Sequence, residues 1–223
     1  MEKRRHTEVI RETVPLAGRV VADVGCGRGG LARWLAREAG LVLGFDPQAN
    51  ALAAARRASE GRVLVAAATA ERLPLPEASL DVGIVFNSLH HFPDPAAALV
   101  ELGRVVRPGG RLYVAEPLPE GSYFAFMQPV DDETEVRLAA QAALAAITPA
   151  HFALATSIDY AYDIVVRDLD AEIAGWLAVD GARRAAVEAI GAGWPARFEA
   201  LGEPDPQGRR FTQPMRAWCF DRS

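Results

Sequence analysis

A chain of 223 residues, half of them apolar and 24% charged, has the apolar surface for a packed core, which excludes an intrinsically disordered protein. Cys26 and Cys219 make no disulfide framework and no Cys/His cluster has zinc spacing, so a reducing, cytoplasmic setting without a metal is expected. A formal net charge of −5 disfavours a nucleic-acid partner; the first residues carry no apolar stretch of signal-peptide type, and no apolar run approaches the roughly 18 residues of a membrane helix.

In chain order, short apolar runs at 20–24, 41–45, 63–67, 82–86 and 111–115 alternate with helical stretches. Their continuous rather than alternating hydrophobicity predicts strands buried on both faces of a parallel sheet. Between them, Leu31, Trp34 and Leu35 share a helical face, and the alanine-rich stretch 49–59 has high helix propensity. Asp94 followed by Pro95 is an N-cap with proline in the first turn, and Leu99, Leu102 and Val106 line the face that follows. Pro108, Gly109 and Gly110 are expected to stop that helix and turn the chain into the fifth strand. Beyond residue 117 the pattern changes. Tyr123, Phe124 and Phe126 precede a helix at about 133–147, a strand at 158–166, mostly helix at 171–201, and a last strand at 215–220. The alternation predicts a doubly wound α/β fold.

The densest signal is VADVGCGRGG, residues 21–30. A strand ends, alternate glycines let the backbone turn sharply and approach a ligand, and a helix N-terminus offers N–H groups to an anion. Asp46 closes the second strand, where a carboxylate can accept from the paired hydroxyls of a ribose. Gly25, Gly27 and Gly30 also satisfy the dinucleotide pattern. Asp23 decides between the two cofactors, because a carboxylate gains nothing beside a pyrophosphate and gains from an ammonium and a sulfonium.

This segment resembles motif I of the class I S-adenosylmethionine (SAM)-dependent methyltransferases. The resemblance continues through Gly44-Phe45-Asp46-Pro47, Ala70-Glu71-Arg72-Leu73-Pro74-Leu75-Pro76, Ser79-Leu80-Asp81-Val82, Asn87-Ser88-Leu89-His90-His91 and Arg104-Val105-Val106-Arg107-Pro108-Gly109-Gly110. It covers about residues 15–116 and is similar to the small-molecule branch that includes the ubiquinone and biotin-pathway enzymes. It implies a Rossmann-like, mostly parallel seven-stranded sheet with helices on both faces and a helical cap after the fifth strand. The whole chain, 1–223, is then one domain, with a core at 15–117 and 158–223 and a substrate cap at about 118–157.

Carried over residue by residue, the resemblance implies SAM as cofactor. Asp23 and the turn of Gly25, Cys26, Gly27 and Gly29 would hold its methionine end, with Asn87 also on the cofactor. Asp46 would take the ribose hydroxyls, Pro47 the adenine face, and Ala70 the adenine edge. Thr69 stands where the family usually has Asp, which implies a looser adenine grip. The implied reaction is methyl transfer to a small-molecule acceptor by in-line displacement. His90 or His91, after the fourth strand, is the candidate base for a hydroxyl acceptor. Tyr123, Phe124, Phe126 and Met127 are candidates for the acceptor wall, or for ordinary core. Asn87 is not followed by the Pro-Pro-Tyr used on adenine or glutamine amino groups, and no Pro-Cys pair supplies a thiolate for cytosine. Two other readings stay open: a protein that binds SAM without consuming it, and an NAD(P)-dependent oxidoreductase.

Overall fold

The computed structural model describes residues 1–58, 63–147 and 151–223, so Ser59, where the second predicted helix ends, lies outside the described residues. The first half runs α1 (His6–Thr13), β1 (Val20–Val24), α2 (Gly30–Leu35), β2 (Leu41–Asp46), α3 (Ala49–Ala58), β3 (Val63–Ala67), β4 (Leu80–Phe86), α4 (Pro95–Val105) and β5 (Val106–Pro117). There follow α5 (Ser122–Met127), α6 (Thr134–Ala145), β6 (Phe152–Val166), α7 (Leu169–Val179), α8 (Arg184–Ile190), α9 (Trp194–Leu201), β7 (Glu203–Asp205) and β8 (Gly208–Arg222). The strands lie in the order β3-β2-β1-β4-β5-β8-β6, with β7 paired antiparallel to β8. β1 to β5 are parallel neighbours, and the order reverses at β1, the crevice where open α/β sheets bind ligands. Among the described residues, eight strands thus form the mostly parallel sheet for which seven were expected.

The residues divide into two compact units. One holds Arg5–Glu116, Ala139–Ile158 and Arg216–Ser223; the other holds Met1–Arg4, Pro117–Leu138 and Asp159–Met215.

In the first unit, α4 starts as its sequence dictates: Asp94 accepts from the Ala97 N–H at 2.9 Å, and Pro95 takes the position where no N–H is needed. It buries Ala98, Leu99 and Leu102 against a core that includes Val24, Phe45, Val85 and Val114. Val106, expected on that face, begins β5 instead. Pro108, Gly109 and Gly110 make no hairpin; they bulge out of the strand where its register against β4 shifts between Leu80 and Val82. Gly109 has φ of +70°, and a Cβ on Gly110 would meet the Asp81 carbonyl at 2.7 Å, so this bulge requires both glycines. The expectation of burial on both faces fails at β3, where Leu64 is 59% exposed because β3 ends the sheet. In α2 the buried residues are Ala32 and Leu35, with Leu31 and Trp34 half-buried.

The second unit is organised around aromatic packing. Phe126 stacks on Phe211 with ring centroids 4.7 Å apart and also meets Trp176 and Trp194, at 5.2 and 5.7 Å. No helix among the described residues is long and apolar enough to cross a membrane.

Candidate functional site

The parallel register brings the carboxyl ends of β1, β2, β4 and β5 to one edge of the first unit, and each end carries a polar group. From β1 the chain enters the glycine turn. Gly25, Gly27 and Gly29 have φ of +78°, +51° and +74°, a region that side chains other than glycine rarely adopt. A Cβ on Gly25 would collide with Ser88 at 2.6 Å, whereas one on Gly27 would meet nothing within 4 Å. The first glycine therefore serves the fold, and the second leaves open space beside the backbone. The Gly25 and Cys26 N–H groups both donate to the Phe45 carbonyl, which ties the turn to β2. The helix that follows has only six residues, so the turn and its acids, rather than a long helix dipole, define this corner.

Two carboxylates flank the turn. Asp46, at the end of β2, accepts from Gly27 N–H at 2.9 Å with one oxygen and from Gln48 N–H at 2.8 Å with the other. A carboxylate has about four acceptor sites, so capacity for two further donors remains. Asp23, one residue from the end of β1, is buried and its Oδ2 has no hydrogen-bond partner. Burial, against a hydrogen bond from the Ala32 backbone and with added repulsion from Asp46, pushes its carboxyl up to about 7. Cys26 is buried beside Gly44, whose Cβ would lie 3.0 Å from the Cys26 sulfur. Burial and the two neighbouring acids push this thiol up to about 12, so it packs as a small apolar group and is no nucleophile.

After β4, Asn87 is exposed with φ of +52°, and its N–H donates to Ala115 of β5. Ser88 Oγ donates to the Val24 carbonyl at 3.1 Å, joining this loop to the base of the glycine turn. A 3-10 turn at Leu89–His91 follows. Its shape is held by Glu116, at the end of β5 and completely buried, which accepts from the Ser88, Leu89 and His90 N–H groups at 3.0, 2.9 and 3.3 Å. The same carboxylate pairs with Nδ1 of the buried His90. His91 is exposed, and its ring centroid is 3.9 Å from that of His90. The two histidines thus differ: His90 is locked into the wall, and His91 is exposed. At the start of α1, His6 meets Phe86 edge-on at 4.5 Å, and burial lowers its imidazole to about 4, so it is neutral near pH 7.

Pro47 and Thr69 are exposed beyond the ends of β2 and β3, while Ala70 is buried. Asp23, Gly25, Cys26, Gly27, Gly29, Asp46, Pro47, Thr69, Ala70, Asn87, His90 and His91 all belong to the first unit. The aromatic residues expected at the acceptor do not; they lie on α5 in the second unit. There Phe126 has no exposed surface, Phe124 and Met127 are buried, and Arg137 lies 4.6 Å over the Phe124 ring. Tyr123 is half-buried and donates its hydroxyl to Glu172 at 2.7 Å.

Sequence reading missed Glu116 and Ser88. Glu116 carried a usable signal, a lone acid closing an apolar strand, the same feature that singled out Asp46.

The comparisons with known proteins agree with this geometry. Residues 22–114 match the family described as a methyltransferase domain. Methyltransferase GfsG of Streptomyces halstedii is 39% identical over 125 residues, covering 53% of this chain and 45% of that protein. Ubiquinone biosynthesis O-methyltransferase of Pseudomonas paraeruginosa is 35% identical over 113 residues, covering 48% and 47%. The matches span less than half the length of these relatives. Over 97% of both chains, the fold resembles that of BH2331 from Bacillus halodurans, with a TM-score of 0.67 at 18% identity. Residues 22–114 thus match a methyltransferase domain, and with the doubly wound sheet around it the chain resembles the class I S-adenosylmethionine-dependent methyltransferases.

Proposed function

We propose that the protein transfers the methyl group of SAM to a small-molecule acceptor carrying a hydroxyl. The observation that carries this reading is the pair of acids at the glycine turn, one of them a buried carboxyl with an unpartnered oxygen. Such a corner suits a ligand with a cationic end and a ribose, and it repels a pyrophosphate. SAM, when bound, supplies an electrophilic methyl on a positively charged sulfur. Asp23 and the open side of Gly27 would hold the ammonium end, and Asp46 would take the ribose hydroxyls on its remaining lone pairs. Exposed Pro47 and Thr69 would face the adenine, with Ala70 behind them and Asn87 across the crevice.

The protein's own contribution is alignment and exclusion of water, which together can lower a barrier by roughly 7–11 kcal/mol. A hydroxyl acceptor must also lose its proton. His91 would take it, while His90, fixed by Glu116, holds the turn that carries His91. The named O-methyltransferase relative supports a hydroxyl acceptor. Two buried thiols without a disulfide support a cytoplasmic location.

The test is a thermal-shift comparison of S-adenosylhomocysteine with NAD, followed by an acceptor screen that monitors homocysteine release. Stabilisation by the former alone, with turnover on a hydroxyl compound, is expected. Stabilisation by NAD alone would overturn the reading, and SAM binding without turnover on any acceptor would reduce the protein to a SAM-binding one.

A further inference from the structure

Asp23 is buried in a parallel sheet between register partners that bring it no charge, Gly44 on β2 and Ile84 on β4. From α2 it receives the backbone N–H of Ala32. The titratable groups that act with it are Asp46, at the end of β2, and the thiol of Cys26, in the turn; each acid raises the thiol, and Asp46 also raises Asp23. No cation among the described residues contributes to its ionisation. One oxygen thus has a single backbone donor and the other has none. A buried carboxylate in that position lacks both solvation and a counter-charge, whereas the neutral acid lacks only one hydrogen bond.

We propose that Asp23 carries a proton while the turn is without ligand, and that binding of the cofactor's cationic amino-acid end drives that proton into solvent. The inference rests on the functional reading above and adds to it that cofactor affinity is linked to pH through one identified carboxyl. The ammonium group supplies the missing counter-charge, so the carboxylate becomes the favoured form in the complex. Each binding event at mildly acid pH then releases one proton, and affinity falls as pH drops below 7. The raised carboxyl pKa agrees with this account.

The experiment is isothermal titration of the intact protein with S-adenosylhomocysteine, in three buffers of different ionisation enthalpy, at pH 6 and pH 8. The slope of observed heat against buffer enthalpy counts protons. Close to one released proton is expected at pH 6 and close to none at pH 8, with affinity roughly tenfold weaker at pH 6. Asp23→Asn, which mimics the neutral acid in shape, should abolish the release and separates Asp23 from the histidines. Binding at pH 6 without proton release, or equal release by Asp23→Asn, would overturn the proposal. Carbon NMR titration of the ligand-free protein examines the carboxyl directly, independent of any ligand. An Asp23 signal still protonated at pH 6 is expected, and one fully ionised at pH 5 would overturn the proposal. Should S-adenosylhomocysteine bind at neither pH, the methyltransferase reading fails, and the NMR titration still decides the protonation state.

Discussion

Two buried acids sit at the ends of strands on the same edge, and they are provided for very differently. Glu116, on β5, receives three backbone N–H groups and the ring of His90. Asp23, on β1, receives one backbone N–H and has an oxygen with no partner. Glu116 is complete within the fold and holds a loop in shape. Asp23 is left incomplete within the fold. The contrast supports the proposed ligand site beside Asp23, since a buried carboxylate oxygen without a partner costs free energy that a cationic ligand would offset.

The sharpest way to break this comparison is to remove the complete acid. Glu116→Ala leaves three buried N–H groups and an imidazole without their acceptor, at about 1–3 kcal/mol for each unsatisfied group. Urea denaturation should show a loss on the order of 5 kcal/mol. A loss below about 1 kcal/mol would mean that the carboxylate is not what holds the 3-10 turn.

The incomplete acid should behave in the opposite sense. Folding raises the Asp23 carboxyl from its ordinary value of 3.8 to about 7. Between those values the folded protein keeps a proton that the unfolded chain has lost, so this group makes stability decline from pH 4 to pH 7 and level off above. Three pKa units correspond to about 4 kcal/mol, an upper figure. Asp23→Asn should therefore stabilise the ligand-free protein at pH 8, with the gain vanishing toward pH 4, as melting curves across that range would reveal. A variant less stable than the parent at pH 8 would contradict the picture of a carboxylate held against its own solvation.

The histidine pair offers a smaller effect. With a hydroxyl acceptor in hand, His91→Ala should lower kcat about a hundredfold, the low end for loss of a general base. Its melting temperature should barely change, because His91 is exposed. His90→Ala should instead destabilise the fold, since it strips the Glu116 carboxylate of a buried partner. Turnover retained in His91→Ala would remove the base from the mechanism. Smallest of all, Thr69→Asp should tighten S-adenosylhomocysteine binding roughly threefold by adding a charged acceptor for the adenine amine. Titration calorimetry at pH 8 reads that change, and unaltered affinity would place the adenine elsewhere.

How much of this could be read from the sequence follows from distance along the chain. The glycine turn, Asp23 and the α4 cap are local devices, written in adjacent residues, and the structure has each in place. Asp46 was legible as a strand-ending acid, but its prior engagement with Gly27 and Gln48 was not. Glu116 lies 26 to 28 residues from its donors, so nothing local marks it as their partner. The aromatic residues of α5 were ambiguous for the same reason: the neighbours that enclose Phe126 come from positions 176, 194 and 211. Leu64 shows a different limit, because its apolar run does not reveal that its strand ends the sheet.

The central claim is that an unfinished acid at the first strand is the anchor for SAM. Titration of S-adenosylhomocysteine at pH 8 into the parent protein and into folded Asp23→Asn tests it most directly. The account predicts one site in the parent and binding weakened at least tenfold, though still measurable, in the variant; equal affinity in the two would contradict it.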